Sequence, residues 1–358
     1  MKIYIITIHC IHNFGSVFQS YALVEYLRNK GYKAEIIDYR PDYYSRGRNA
    51  IKSYLSKLLN FVPYLRQHAR YNRFIEKEIP KTAKVYYTIN DLKSATADDA
   101  VFIAGGDQIW NSFHPCGRDD AYKLTFVKEK PKFAFGTSMG RNSFSCEELE
   151  SIAQNISDFI SVGLREQSTV GMLKPYVNVP VSHVCDPVLL LDKNAYSRFI
   201  GGKPIIKEPY LLMYLADKSE LLEKTVSHLS EKMGLKVVHV CGFRKKCTCD
   251  YFLKDTGPED LLNLIYYSSF VVSASFHATL FSLLFEKQFC TLLPEAGTNT
   301  RIEDLLGFYG LNNRIMRHED EIHHVDELID YSEVSIKREQ FSEASRKKLN
   351  EILNTIKS

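Results

Sequence analysis

Apolar positions along this chain follow two alternating rhythms. Short β-branched and aromatic runs are separated by longer stretches in which apolar residues recur every three or four positions. These are the marks of buried parallel strands and of helices. Residues 3–8 predict a first strand, and 17–29, apolar at Val17, Tyr21, Leu23, Val24 and Leu27, a helix stopped by Gly31 before a second strand over 34–39. Further strands are predicted at 99–104, 132–135 and 160–164, with a helix from 146 to about 159 opened by Ser145 and by Glu148 three residues on, a capping box. Residues 184–187 close this half, and 201–209, rich in Gly and Pro, read as a linker. The alternation then restarts: strands at 210–215, 236–241, 270–273 and 289–293, helices at 219–233, 258–266 and through Phe285, and a charged amphipathic helix over 334–357.

At 358 residues the chain exceeds the size at which one core usually stops growing, so two domains are expected. The fold class predicted is α/β: two Rossmann-like doubly wound domains, 1–200 and 201–330, facing a cleft, with a C-terminal helix over 331–358. This is the architecture of GT-B glycosyltransferases. Lys and Arg total 46 against 43 Asp and Glu, a net +3, too small to argue for nucleic acid. No nucleic-acid module is recognisable. The opening apolar run is too short for a secretory signal, and none approaches the roughly 20 residues that span a bilayer. A cytoplasmic protein is therefore expected, with its eight scattered cysteines as free thiols. Cys247-Thr248-Cys249 has the wrong spacing for a zinc site, and no metal is expected. Charge is concentrated between 46 and 73, where seven Arg and Lys occur with no Asp or Glu and with interleaved apolar residues. Such a segment either rests on an anionic membrane at the inner leaflet or packs its apolar face on its own domain.

Candidate chemistry lies where predicted strands end, because ligands of open α/β sheets bind outside the carboxyl ends of the strands. The run 271–285 is a strand turning directly into a helix, with Ser275 as cap and His277 on the turn. The alternative is a capped helix whose His277 merely fills space. The first turn, His9 to Ser16, offers Asn13 and Gly15 for close backbone approach and lacks a dinucleotide fingerprint. Gly105-Gly106-Asp107-Gln108-Ile109-Trp110-Asn111 follows another strand. Asp107, Gln108 and Asn111 are short polar groups suited to sugar hydroxyls, and Trp110 is a candidate pocket wall.

These pieces, in this order, resemble the polysaccharide pyruvyl transferase family. The resemblance rests on Asn13-Phe14-Gly15 with Gln19, Ile36 to Pro41, Gly105 to Asn111, Ser161 to Glu166, Asp186-Pro187, Ser275-Phe276-His277-Ala278 and Asn299-Thr300-Arg301-Ile302. It implies transfer of pyruvate from phosphoenolpyruvate, as co-substrate without a further cofactor, onto a sugar of a surface-polysaccharide precursor to form a ketal. His277 would act as acid, base or charge stabiliser, and Asp107 as a base. Arg165, Ser275 and Arg301 would hold the donor, and Asn13, Gly15, Gln19, Gln108 and Asn111 a sugar acceptor, lipid-linked in one version. The first domain would be the acceptor side and the second the donor side. Where better-studied members carry Arg-Leu-His, this chain has Ser275-Phe276-His277. Two rival readings are a nucleotide-sugar glycosyltransferase, with Glu295, Glu303 or Asp304 holding the donor ribose, and a non-catalytic carbohydrate-binding relative.

Overall fold

The computed structural model describes residues 1–44, 60–95, 99–240, 244–293 and 300–357. Apolar runs buried on both faces become parallel strands, as expected for sheets covered by helices on each side. β1 (Lys2–Ile6) leads into α1 (Phe14–Asn29) and β2 (Lys33–Tyr39). α1 begins three residues before its first predicted position, because the Asn13 side chain accepts hydrogen bonds from the Gly15 and Ser16 amides and so caps the helix. Most of α1 is buried, with Phe14 on Phe18 and Phe18 on Phe74 at centroid separations of 5.1 and 5.0 Å. A helix covered nearly all round has no polar stripe, which is why its start was hard to read.

The chain continues through α2 (Phe61–Glu78), β3 (Lys81–Tyr86), β4 (Ala100–Gly105), β5 (Lys132–Thr137), α3 (Cys146–Asn155), β6 (Val162–Leu164), α4 (Gln167–Leu173) and β7 (Val181–His183). Among the described residues the first sheet has seven parallel strands in the order β3-β2-β1-β4-β5-β6-β7. β3 escapes the sequence pattern because it is a half-exposed edge strand, lysine-rich and with one buried residue. The capping box of α3 is present, Ser145 and Glu148 each bonding the other's backbone.

β8 (Tyr210–Tyr214), α5 (Glu220–Met233), β9 (Lys236–Val240), β10 (Tyr251–Leu253), α6 (Pro258–Tyr267), β11 (Phe270–Ser273), α7 (Phe276–Leu284), β12 (Gln288–Leu292), α8 (Thr300–Tyr309), β13 (Ile315–Met316) and α9 (Tyr331–Lys357) follow. The second sheet runs β10-β9-β8-β11-β12-β13, again all parallel. The chain divides into one unit of Met1–Arg48, Phe74–Leu191 and Arg338–Ser358, and another of Asn49–Arg73 and Asp192–Lys337. Within the first unit α9 is tied by Ser345, which accepts from the Cys185 amide at 2.9 Å, and by Arg346, which donates to the Leu190 carbonyl at 3.0 Å. No helix among the described residues is long and apolar enough to cross a membrane.

Candidate functional site

In the first sheet the strand order reverses between β1 and β4, the position at which such sheets bind ligands. Gly105 and Gly106 end β4, and Asp107 follows in the left-handed region at φ 55°, a conformation that costs a non-glycine residue about 1–3 kcal/mol. The surrounding bonds hold it there: its carbonyl accepts from the Ser138 amide at 2.9 Å. Its carboxylate accepts from the Ser16 hydroxyl at 2.5 Å and from the Gln108 amide at 2.8 Å. Asp107 thus bridges the start of α1 to the end of β4 across the reversal point.

Behind it lies a buried charge cluster. The Arg165 guanidinium is 2.6 Å from Asp186, 3.3 Å from Glu166 and 4.0 Å from Asp107. Its side chain is 1% exposed, and Glu166 also accepts from the Ser138 hydroxyl at 2.5 Å. Burial disfavours the Arg165 charge, but Asp186, Glu166 and Asp107 outweigh it and raise the pKa above the usual arginine value. This setting does not suit the expected grip on a donor anion, because the guanidinium fork already faces carboxylates and is shut off from solvent. Arg165 instead ties the ends of β6 and β7 to the Asp107 turn.

The remaining first-unit candidates fall into two sets. Asn13 is exposed, and its side-chain oxygen is engaged in capping α1. Gln108 accepts from Asn111 at 2.8 Å beneath Gly140, where an added Cβ would meet both side chains. Gln19 is fully buried, its amide donating to Thr7, Ile8, Ser16 and Ser20. It therefore stitches α1 to the end of β1, shut off from solvent. Gly15, also buried, lies in the first turn of α1. Trp110 is 0% exposed and donates to the Tyr122 carbonyl at 2.9 Å, so it packs in the core and backs the wall of a neighbouring cavity without opening to solvent. The Ile36–Pro41 motif carries a further ion pair: Asp38 accepts from Arg40 at 2.6 and 2.8 Å and lies 3.0 Å from His9. Burial raises the Asp38 pKa, but the bonds from His9 and Arg40 prevail and hold it well below the usual carboxylate range.

The second sheet reverses between β8 and β11. The Ser273 hydroxyl joins the two strand ends, donating to the Tyr214 carbonyl at 2.7 Å and accepting from the Ser275 amide at 3.0 Å. Ser275 caps α7 by accepting from the Ala278 amide at 3.4 Å, and its carbonyl accepts from Thr279, which meets Thr291 of β12 at 3.0 Å. His277 lies in the first helical turn, 5% exposed, its ring edge-on to Phe276 at 5.1 Å. The Arg301 guanidinium stands over the same Phe276 ring at 5.6 Å. Phe276 therefore links His277 and Arg301, a pairing invisible in a sequence that separates them by a helix and a strand. Residues 294–299, including Glu295 and Asn299, lie outside the described residues. A cavity of about 200 Å³ opens at the same strand ends, lined by Asp217, Ser219, Ala274, Leu293 and Arg317 among others. Asp217 and Arg317 were not read as site residues, since neither lies in a patterned motif. Glu303 is ion-paired with Arg317. Among the described residues no cluster of three or more His, Cys, Asp or Glu is arranged to hold a metal.

The fold is similar to those of several solved enzymes. UDP-N-acetylglucosamine 2-epimerase from Rickettsia bellii is 11% identical over 99% of this chain and 96% of that one, with a TM-score of 0.57. Spinosyn forosaminyltransferase SpnP is 9% identical over 100% of both, at 0.56. Trehalose-6-phosphate synthase OtsA is 7% identical over 100% and 99%, at 0.55. At such identities the likeness is one of fold, the GT-B arrangement of two parallel-sheet units. No curated relative matches the sequence. The polysaccharide pyruvyl transferase family model matches residues 13–294, spanning the strand-end motifs of both sheets, and on that match the chain belongs to the polysaccharide pyruvyl transferase family.

Proposed function

We propose that the protein transfers the pyruvyl unit of phosphoenolpyruvate to two hydroxyls of a sugar in a polysaccharide precursor, forming a cyclic ketal and releasing inorganic phosphate. The observation that carries this reading is His277 at the start of α7, directly after β11 at the reversal point of the second sheet, within a chain of this family. A proton adds to the methylene carbon of the donor, and a sugar hydroxyl attacks the cationic carbon so formed. Loss of phosphate and attack by a second hydroxyl then close the ketal. His277 is the group able to hold or deliver that proton, work typically contributing about 10²–10⁴-fold. The N-terminus of α7 behind Ser275 favours an anion, and Arg301, on its Phe276 platform, supplies the bidentate cation for carboxylate or phosphate. In the first unit Asp107 is the candidate base for the attacking hydroxyl, with Asn13, Gln108 and Asn111 toward the acceptor. Arg165 acts through Asp107 as a positioning residue.

Phosphate release from phosphoenolpyruvate, assayed against galactose-, mannose- and glucosamine-containing acceptors, tests the proposal. Acceptor-dependent release that is lost in His277→Ala supports it. No release with any acceptor, alongside release of a nucleoside diphosphate from a nucleotide sugar, replaces it with the glycosyltransferase reading, whose fold this chain shares. A lipid-linked acceptor at the inner leaflet is part of the proposal. Of the basic 46–73 segment, residues 46–59 lie outside the described residues. In α2, Phe61, Val62 and Leu65 are exposed, while Arg70 pairs with Asp260 and lies 4.0 Å from Asp255. Membrane contact predicts binding to anionic vesicles at low salt that weakens when Phe61 and Leu65 are replaced by Ser. Indifference to such vesicles removes it.

A further inference from the structure

A second cavity, of about 590 Å³, opens in the first unit between the loop after β4 and the first turns of α3. It begins where the Asp107–Asn111 turn ends: Trp110 and Ser112 are both part of its wall. Neither the family match nor the strand-end chemistry assigns it a role.

Its construction is specific. Arg141 is buried, 7% exposed, and its guanidinium lies between two rings, 4.1 Å from the centroid of Phe113 and 4.4 Å from that of Phe144. It donates to the Ser112 hydroxyl at 2.7 Å and to Glu148 at 2.6 Å, and its Nε has no hydrogen-bond partner among the described residues. Ser112 also donates to Glu148 at 2.6 Å. Phe113 packs against this network and leaves 60% of its surface exposed. An exposed large apolar ring backed by a buried guanidinium at the rim of a polar cavity calls for a ligand with an apolar face.

Charge narrows the class. Three cations line the cavity, Arg118, Lys123 and Arg141, and three carboxylates, Asp120, Glu147 and Glu148. Lys123 and Arg141 are paired, with Asp120 at 3.1 Å and Glu148 at 2.6 Å. A lining of balanced charge creates no net field to concentrate an anion, whereas carboxylates, a guanidinium and hydroxyls together both accept and donate hydrogen bonds. A ligand that presents hydroxyls around its edge and C–H groups on its face meets both demands.

We propose that this cavity is a saccharide subsite, in which Phe113 stacks on one sugar ring of a chain whose neighbouring residue lies at the Asp107–Asn111 turn. As an extension of the acceptor side it rests on the transferase reading. Phe113 is the contact platform; Arg141 positions it. The subsite favours acceptors of two or more sugars over monosaccharides, and reads chain length without touching the reacting carbon.

The test is saccharide binding, measured by calorimetry and by the fluorescence of Trp110, the one tryptophan of the chain. The probes are mono- to hexasaccharides of galactose, mannose and N-acetylglucosamine. The expected result is that one series binds more tightly by at least tenfold from one to three sugars, and that Phe113→Ala removes this gain while the protein stays folded, its Tm falling by a few degrees at most. Arg118→Ala, an exposed position, weakens the same series several-fold. Length-independent binding, equal affinity in Phe113→Ala, absence of binding by every series, or displacement of the bound saccharide by millimolar inorganic phosphate overturns the proposal. Length-dependent binding in a protein that releases no phosphate from phosphoenolpyruvate sustains the subsite and sinks the transfer reaction. Acceptor-dependent phosphate release indifferent to chain length and to Phe113→Ala does the reverse.

Discussion

Replacing Arg165 by Met separates a positioning role from a donor grip. The side chain is 1% exposed, and its guanidinium lies 2.6, 3.3 and 4.0 Å from Asp186, Glu166 and Asp107. Removing it leaves three carboxylates crowded at the strand ends without their shared cation. Deleting one partner of a buried pair costs about 3–5 kcal/mol, since the remaining charge stays desolvated. For a domain of 150–250 residues each kcal/mol shifts Tm by about 2–4 °C, so the expected loss is about 6–20 °C. The assay is urea and thermal unfolding at pH 7. Adding Asp186→Asn to the variant removes one orphaned charge and recovers part of the loss, with a coupling of about 0.5–3 kcal/mol. A variant within about 0.5 kcal/mol of the parent whose only defect is a raised KM for phosphoenolpyruvate would refute the reasoning and return Arg165 to the donor.

Three further outcomes are expected. Gly140→Ala places a methyl group against Gln108 and Asn111 in a left-handed backbone at φ 70°, so acceptor KM rises while the donor KM stays within twofold; unchanged acceptor kinetics would remove that amide pair from the site. Ser275→Ala loses the cap of α7 and lowers stability by about 0.5–2 kcal/mol, which denaturant unfolding measures; a variant as stable as the parent denies the cap its weight. His239 of β9 is buried against Phe252, and burial, with smaller effects of Lys246 and Lys245, lowers its pKa to about 4. The unfolded chain then binds the extra proton between the ordinary histidine value, about 6.5, and about 4, so stability falls as pH drops through that window. His239→Gln flattens the profile; an unaltered slope assigns it to other groups.

The sequence by itself determined the alternation of strand and helix and the two-sheet α/β class, because buried parallel strands and capped helices leave local signatures, while the family was legible only as a resemblance of strand-end motifs. The Ser145–Glu148 box and the Ser275 cap follow from spacing alone. Edge strands such as β3 and β10 were hidden, since a half-exposed strand buries too few side chains to impose a pattern. The site was legible as motifs and illegible as geometry. Ser16 meets Asp107 and Arg165 meets Asp186 over separations of 91 and 21 residues, fixed by the strand order. That order buried Gln19 and set Trp110 behind a cavity wall, and it put Phe276 between His277 and Arg301. It also sandwiched Arg141 between two rings. Which polar residue faces a ligand and which is spent holding strand ends together depends on neighbours distant in the chain, and only the tertiary structure supplies them.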